Sequence, residues 1–181
     1  LKKIILTIAW ICIALGLSAQ LKLTKTGRPQ PFEYNNAEST VGKKWGIIFD
    51  YVAFDGVNFD LLDSINACNQ ATEQKLISRH GTDWNAVFRR EVDAELARQQ
   101  KLRQMIYELP GDKPSMIYLE QSRCNKDKYK AFPFSQIEEG SNRSFYTQQV
   151  YKINAKSGKI KLLSDRAKPI HFAYPENGIT R

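Results

Sequence analysis

The chain predicts an α+β domain, a small, mostly antiparallel sheet with a helical pair packed on one face. Three observations lead there. Residues 58–109 carry two successive apolar patterns at the three-and-four spacing of amphipathic helices. One block of strand formers precedes them and several follow. A parallel sheet would need strands and helices in regular alternation, and this order does not supply it.

Residues 1–19 open with Lys2 and Lys3, continue as an apolar run over 4–17 interrupted only by Thr7 and Gly16, and end in Ser18-Ala19 before Gln20. That is the outline of a secretory signal peptide cut after Ala19. The run is shorter than the roughly 20 residues a spanning helix requires. The expectation is an exported product, periplasmic or associated with the cell surface, with no membrane span in the mature chain. An uncleaved amino-terminal anchor is the competing reading. Cleavage would remove both lysines and lower the formal net charge from +8 to +6. A basic balance of this size favours anionic ligands or acidic envelope surfaces.

Residues 20–36, with Gly27, Pro29, Pro31, Asn35 and Asn36, read as an extended lead-in to a single domain over 37–181. Strand formers at 44–54 are apolar on both parities, which predicts a strand covered on both sides. Asp55-Gly56 then turns the chain and Asn58 is placed to cap a helix. That helix has Phe59, Leu61, Leu62, Ile65, Cys68, Ala71, Thr72, Leu76 and Ile77 on one stripe. Gly81 can close it in the left-handed conformation, and Thr82 or Asp83 can cap the next helix, whose stripe runs Trp84, Val87, Phe88, Val92, Leu96, Leu102, Ile106 and Leu109. Pro110-Gly111 ends it. Beyond lie a short strand over 116–119, an irregular surface connection over 122–134, a hairpin of strands over 144–154 and 160–163, and an edge strand over 168–174 limited by Pro169 and Pro175.

Cys68 and Cys124 remain after processing. Export permits a Cys68–Cys124 disulfide, while two separate thiols, with Cys68 buried in the first helix's stripe, are the other reading.

A strand with Trp45-Gly46-Ile47, a turn with Gly56, and then Leu76, His80, Gly81, Trp84, Glu91 and Val92 resemble the FEKKY domain, found in exported proteins of Bacteroidota. The resemblance covers residues 32–96. Where the family name would ask for Phe-Glu-Lys-Lys-Tyr, this chain has Phe32-Glu33-Tyr34-Asn35-Asn36. The resemblance implies a bacterial, exported protein and leaves the activity open.

Motifs for chemistry are sparse. His80 beside Asp83 is the available acid–base pair, but a histidine after a helix's last turn also suits the final carbonyls and the helix dipole. No Cys-x-x-Cys or His-x-x-x-His occurs, and Asp50, Asp55, Asp60 and Asp63 lack the calcium-loop pattern. Phosphate-loop, dinucleotide and nucleophile-elbow motifs do not occur either. Basic and aromatic residues do interleave at Arg123, Lys126, Lys128, Tyr129 and Lys130, followed by Phe132 and Phe134. Such a run can bind anions by pairing and stacking, or can tuck its rings onto the core while the lysines stay wet. The sequence therefore points to an exported, non-enzymatic binding or accessory protein of the bacterial envelope. Its partner would be an unknown envelope protein or an anionic ligand, with neither cofactor nor metal implied and no specific signal for nucleic acid. The alternative is an envelope hydrolase using His80 and a nearby carboxylate.

Overall fold

The computed structural model describes residues 20–27, 30–52, 59–139, 142–147 and 149–164. The expected signal peptide, the Asp55-Gly56 turn, the Asn58 cap, the edge strand over 168–174 and His171 lie outside them. Within them the class is α+β, with three helices, a five-stranded antiparallel sheet and a parallel pair of strands.

The residues expected as an extended lead-in hold strand β1 (Leu21–Thr26) and the start of helix α1 (Phe32–Trp45), which returns the chain to strand β2 (Ile47–Val52). β1 and β2 pair in parallel, from Leu21 opposite Ile47 to Thr26 opposite Val52. A strand–helix–strand unit thus stands where one isolated strand was expected. Helix α1 escapes pattern reading because its buried side is Asn36, Ala37, Glu38, Thr40, Val41 and Gly42, which is half polar and has only one sizeable apolar residue. Gly42 lets this helix lie close to β2: a Cβ there would come within 2.9 Å of the Phe49 ring and 3.0 Å of the Ile47 carbonyl. β2 is not covered on both sides as predicted, since Ile47 is buried while Ile48 and Tyr51 are exposed.

Helix α2 (Phe59–His80) and helix α3 (Trp84–Tyr107) meet at the predicted corner. Gly81 takes a φ of 90°, and its N–H donates to the Ile77 carbonyl at 2.8 Å. The expected side-chain cap does not form; instead the Trp84 N–H donates to the Gly81 carbonyl at 3.2 Å. Helix α2 is rotated relative to its apolar stripe, leaving Phe59, Leu61 and Cys68 exposed. The side it turns inward runs Ile65, Asn69, Thr72, Leu76, again at helical spacing. The two polar members serve the open edge of β1. Asn69 accepts from the Thr24 N–H at 2.9 Å and donates to the Thr24 carbonyl at 2.7 Å, and the Thr72 hydroxyl donates to the Lys22 carbonyl at 3.0 Å. A strand edge left bare would expose unpaired amides, which these side chains satisfy.

Helix α3 joins two cores. Its first half places Trp84, Phe88 and Val92 with Leu21, Ala37, Val41, Ile47 and Leu76. Its second half places Leu102 and Ile106 against Ile117, Leu119, Tyr129, Ala131 and Ile153 of the sheet. The helix running beside it is α1, through Trp45–Glu91, Thr40–Gln99 and Asn36–Arg103 hydrogen bonds, rather than α2, which meets it at the corner. After Pro110 and Gly111, the Lys113 ammonium turns back and donates to the Tyr107 and Leu109 carbonyls at the helix end.

The sheet runs β3 (Met116–Ser122), β4 (Asn125–Glu139), β6 (Val150–Asn154) and β7 (Lys159–Ser164), with β5 (Asn142–Thr147) pairing β4 on the same side as β6. The segment over 122–134, expected to be irregular, is a turn at Arg123 and Cys124 followed by the first part of β4. Its alternation of Lys128, Tyr129, Lys130 and Ala131 is a strand's two-residue period, with the ring and the methyl turned to α3. Pro133 argues against a central strand, yet it fits here. It lies opposite Ile117, whose carbonyl points away from β4 to Arg103, and between Ala131, which pairs β6, and Phe134, which pairs β5. Its missing N–H therefore falls where β4 changes partners. The single strand expected over 144–154 is β5 and β6 laid end to end with one extra residue, since Thr147 faces Phe134 and Tyr151 faces Ala131. The predicted hairpin of β6 and β7 is present, its turn closed by Gly158 at a φ of 69°.

Candidate functional site

Where α1, α3 and β3 meet, the interior is polar. Asn36 pairs both ways with the backbone of Leu119, donating to its carbonyl at 2.9 Å and accepting from its N–H at 3.0 Å. Arg103 donates to the Ile117 carbonyl at 3.1 Å, to Asn36 Oδ1 at 2.9 Å and to Gln99 Oε1 at 3.0 Å. Gln99 in turn donates to Thr40 Oγ1 at 3.2 Å and to Glu95 at 3.0 Å, and the Tyr129 hydroxyl donates to Glu95 Oε1 at 2.9 Å. The free edge of β3 is thus covered by helix side chains, as Asn69 covers β1. Burial, and then the Glu95 carboxylate, push the Tyr129 hydroxyl well above its usual range. Burial lowers the Arg103 guanidinium, and its Nη1 has no hydrogen-bond partner. Glu95 is 3% exposed, so this seam holds elements in register and offers no reacting group to solvent.

Beside it lies an open cleft of about 610 Å³ between the end of α1 and the outer edge of β3. The last turn of α1 brings Lys43 and Lys44, where cations also suit the helix dipole. Gly46, at a φ of 70°, turns the chain sharply into β2 and leaves those lysines on the rim. The β3–β4 turn brings Arg123, and the start of β4 brings Lys126. All four cations are exposed, and Glu120 is the acidic residue lining the same cleft. Cations from three elements around one concavity raise its positive potential and concentrate anions there.

A second cleft, of about 460 Å³, opens between β1, α1 and α3. Its wall holds buried Glu38, which pairs with the Lys25 ammonium and accepts from the Tyr51 hydroxyl at 2.6 Å. Burial and that hydrogen bond raise the Tyr51 hydroxyl far above its ordinary value. Glu38 is therefore already neutralised and hydrogen-bonded. His80 does not join a carboxylate: its ring lies on Trp45, centroids 4.3 Å apart, and among the described residues it has no ion pair with Asp83. Among the described residues no three His, Cys, Asp or Glu side chains gather as a metal site would require.

The five candidate binding residues separate in the structure. Arg123 and Lys126 line the basic cleft; Lys128 and Lys130 project from the sheet face away from α3; Tyr129 is inside, 1% exposed, in the polar seam. Cys68 on α2 and Cys124 in the β3–β4 turn are both exposed and free. Lys43 and Lys44 were not anticipated at all, and the only trace in the sequence is a pair of lysines just before Trp45-Gly46.

Fold and cleft together define an α+β protein with two apolar cores, a polar seam where helices seal the edge of β3, and a basic concavity at that strand edge. No protein-family model, curated protein or solved structure matches the chain. Among the described residues no helix is long and apolar enough to cross a membrane.

Proposed function

We propose that this chain is an exported, non-enzymatic binding protein of the bacterial envelope that holds an anionic ligand in the cleft between α1 and β3. The observation that carries the reading is the convergence of Lys43, Lys44, Arg123 and Lys126 from α1, the β3–β4 turn and β4 on one open concavity. Export is supported by the charged, apolar and small-residue succession over 1–19, and the resemblance over 32–96 to the FEKKY domain gives the same address. Binding without reaction is supported by the state of the carboxylates: Glu95 and Glu38 are buried and already hydrogen-bonded. His80 stacks on an indole instead of engaging an acid.

Titration calorimetry with inorganic pyrophosphate tests the reading. The full chain should bind it, and a variant carrying Lys43→Gln, Lys44→Gln and Arg123→Gln should lose at least tenfold in affinity while melting as the parent does. Unchanged affinity in that variant would remove the cleft from the account. Recovery of the protein from envelope fractions with Gln20 at its amino terminus would support export; recovery only from the cytoplasm would contradict it.

A further inference from the structure

The face of the five-stranded sheet turned away from α3 carries cations in a pattern the cleft does not require. Cross-strand pairing sets Lys130 opposite Lys152 and Lys152 opposite Lys161, so lysines from β4, β6 and β7 stand side by side. Adjacent strands lie about 4.8 Å apart, so the three form a straight row across the strands. Two residues along, Lys128 opposite Asn154 and Asn154 opposite Lys159 add two more cations on the same face. Their neighbours in sequence, Tyr129, Ala131 and Ile153, are buried against α3, which directs these lysines outward. Lys128 is half-buried and the other four are exposed. Among the described residues none of the five has an ion pair, and Glu120, opposite Lys130, stands at one end of the row.

Like charges directly opposite one another destabilise a sheet, so the arrangement calls for a reason. Lysines on an edge strand discourage edge-to-edge pairing, which accounts for Lys159 and Lys161 in β7. It does not account for Lys130 and Lys152, which sit on interior strands. An anion laid along the row turns the repulsion into attraction at every step. We propose that this face binds a linear polyanion, a chain whose negative charges recur every few ångströms, lying across β4, β6 and β7. A flat anionic membrane fits less well. Towards β3 the same face gives way to the acid Glu120 and the rings of Tyr118 and Phe132, 6.0 Å apart, so the cations occupy a band rather than the whole face.

The test uses the full chain and fluorescently labelled long-chain inorganic polyphosphate, with anisotropy followed over a range of salt concentrations. Binding should weaken steeply with salt as counterions are released. The variant Lys130→Gln/Lys152→Gln/Lys161→Gln should lose tenfold or more in affinity, and its log–log salt slope should fall by roughly 2, at about 0.7 per phosphate contact on a single strand. The Lys152→Arg variant should keep parental affinity. The cleft variant Lys43→Gln/Lys44→Gln/Arg123→Gln should keep the parental slope to within about one phosphate contact, or roughly 0.7. That arm separates failure of the row from failure of the cleft. Parental affinity in the triple-row variant would overturn the proposal. So would binding to phosphatidylglycerol vesicles, dependent on the same lysines, in a protein that ignores polyphosphate.

Discussion

Replacing Asn36 by alanine removes three hydrogen bonds from a place water reaches poorly. The amide pairs both ways with the Leu119 backbone and takes an N–H from Arg103. Arg103 Nη2 keeps Gln99 as a partner, so the uncompensated groups are the Leu119 N–H and carbonyl. Asn36 is 4% exposed and Leu119 0%, which limits rescue by solvent. A buried group left without a partner costs about 1–3 kcal/mol, so the two together cost roughly 4 kcal/mol. A native stability of about 5–15 kcal/mol makes that a large share of the total. Asn69→Ala is the matched comparison, because it also breaks a two-way pairing with one backbone residue at a strand edge. That edge is only part-buried, so water can take over and the cost should be about 1–2 kcal/mol. Urea unfolding followed by circular dichroism measures both, with an unchanged m-value showing that the difference is one of stability. Equal costs for the two variants, or an Asn36→Ala cost below about 1 kcal/mol, would refute the view that α1 seals the edge of β3.

Other consequences follow from particular contacts. Tyr51 and Tyr129 hold their protons more tightly folded than at the ordinary tyrosine value of 10.0, so their stabilisation is complete below that pH and is lost as pH rises above it. Alkaline unfolding should therefore begin near there, and Tyr129→Phe should flatten the fall; a variant with the parental pH profile would contradict this. Gly42→Ala gains roughly 1 kcal/mol of helix propensity. It also forces a methyl against Phe49 and the Ile47 carbonyl, so a net loss of about 1–2 kcal/mol should appear as a lower Tm. Lys152→Gln removes a cation that faces lysines on both sides and should stabilise by roughly 0.2–1 kcal/mol at low salt. High salt should erase that gain by screening.

The parts of the fold legible in the sequence are those fixed by backbone chemistry. Gly81 and Pro110-Gly111 mark helix ends because few residues accept a positive φ or continue a helix past proline, and the β6–β7 turn is marked by Gly158 for the same reason. Helix α1 was hidden because what it buries is Asn36, Glu38 and Thr40, whose partners come from β1, β2, β3 and α3 and cannot be seen locally. The same blindness rotated α2 in expectation: a stripe chosen for hydrophobicity leaves out Asn69, which bonds the edge of β1. In β4 the lysines mask a two-residue period, and Pro133 is accommodated by a change of strand partner that no local pattern reveals. Arg123 and Lys126 were singled out from composition, but the cleft they line is half made by lysines on the unanticipated helix. The row of Lys130, Lys152 and Lys161 exists only through strand register, which no local pattern specifies.

The central claim, that the concavity between α1 and β3 takes an anion, is tested most directly by an amide chemical-shift titration of the labelled chain with inorganic pyrophosphate. The account predicts that the largest shifts gather at Lys44, Gly46, Glu120, Ser122 and Arg123, around the cleft. Shifts centred instead on Lys25, Glu38 and Tyr51, or none at saturating probe, would contradict it.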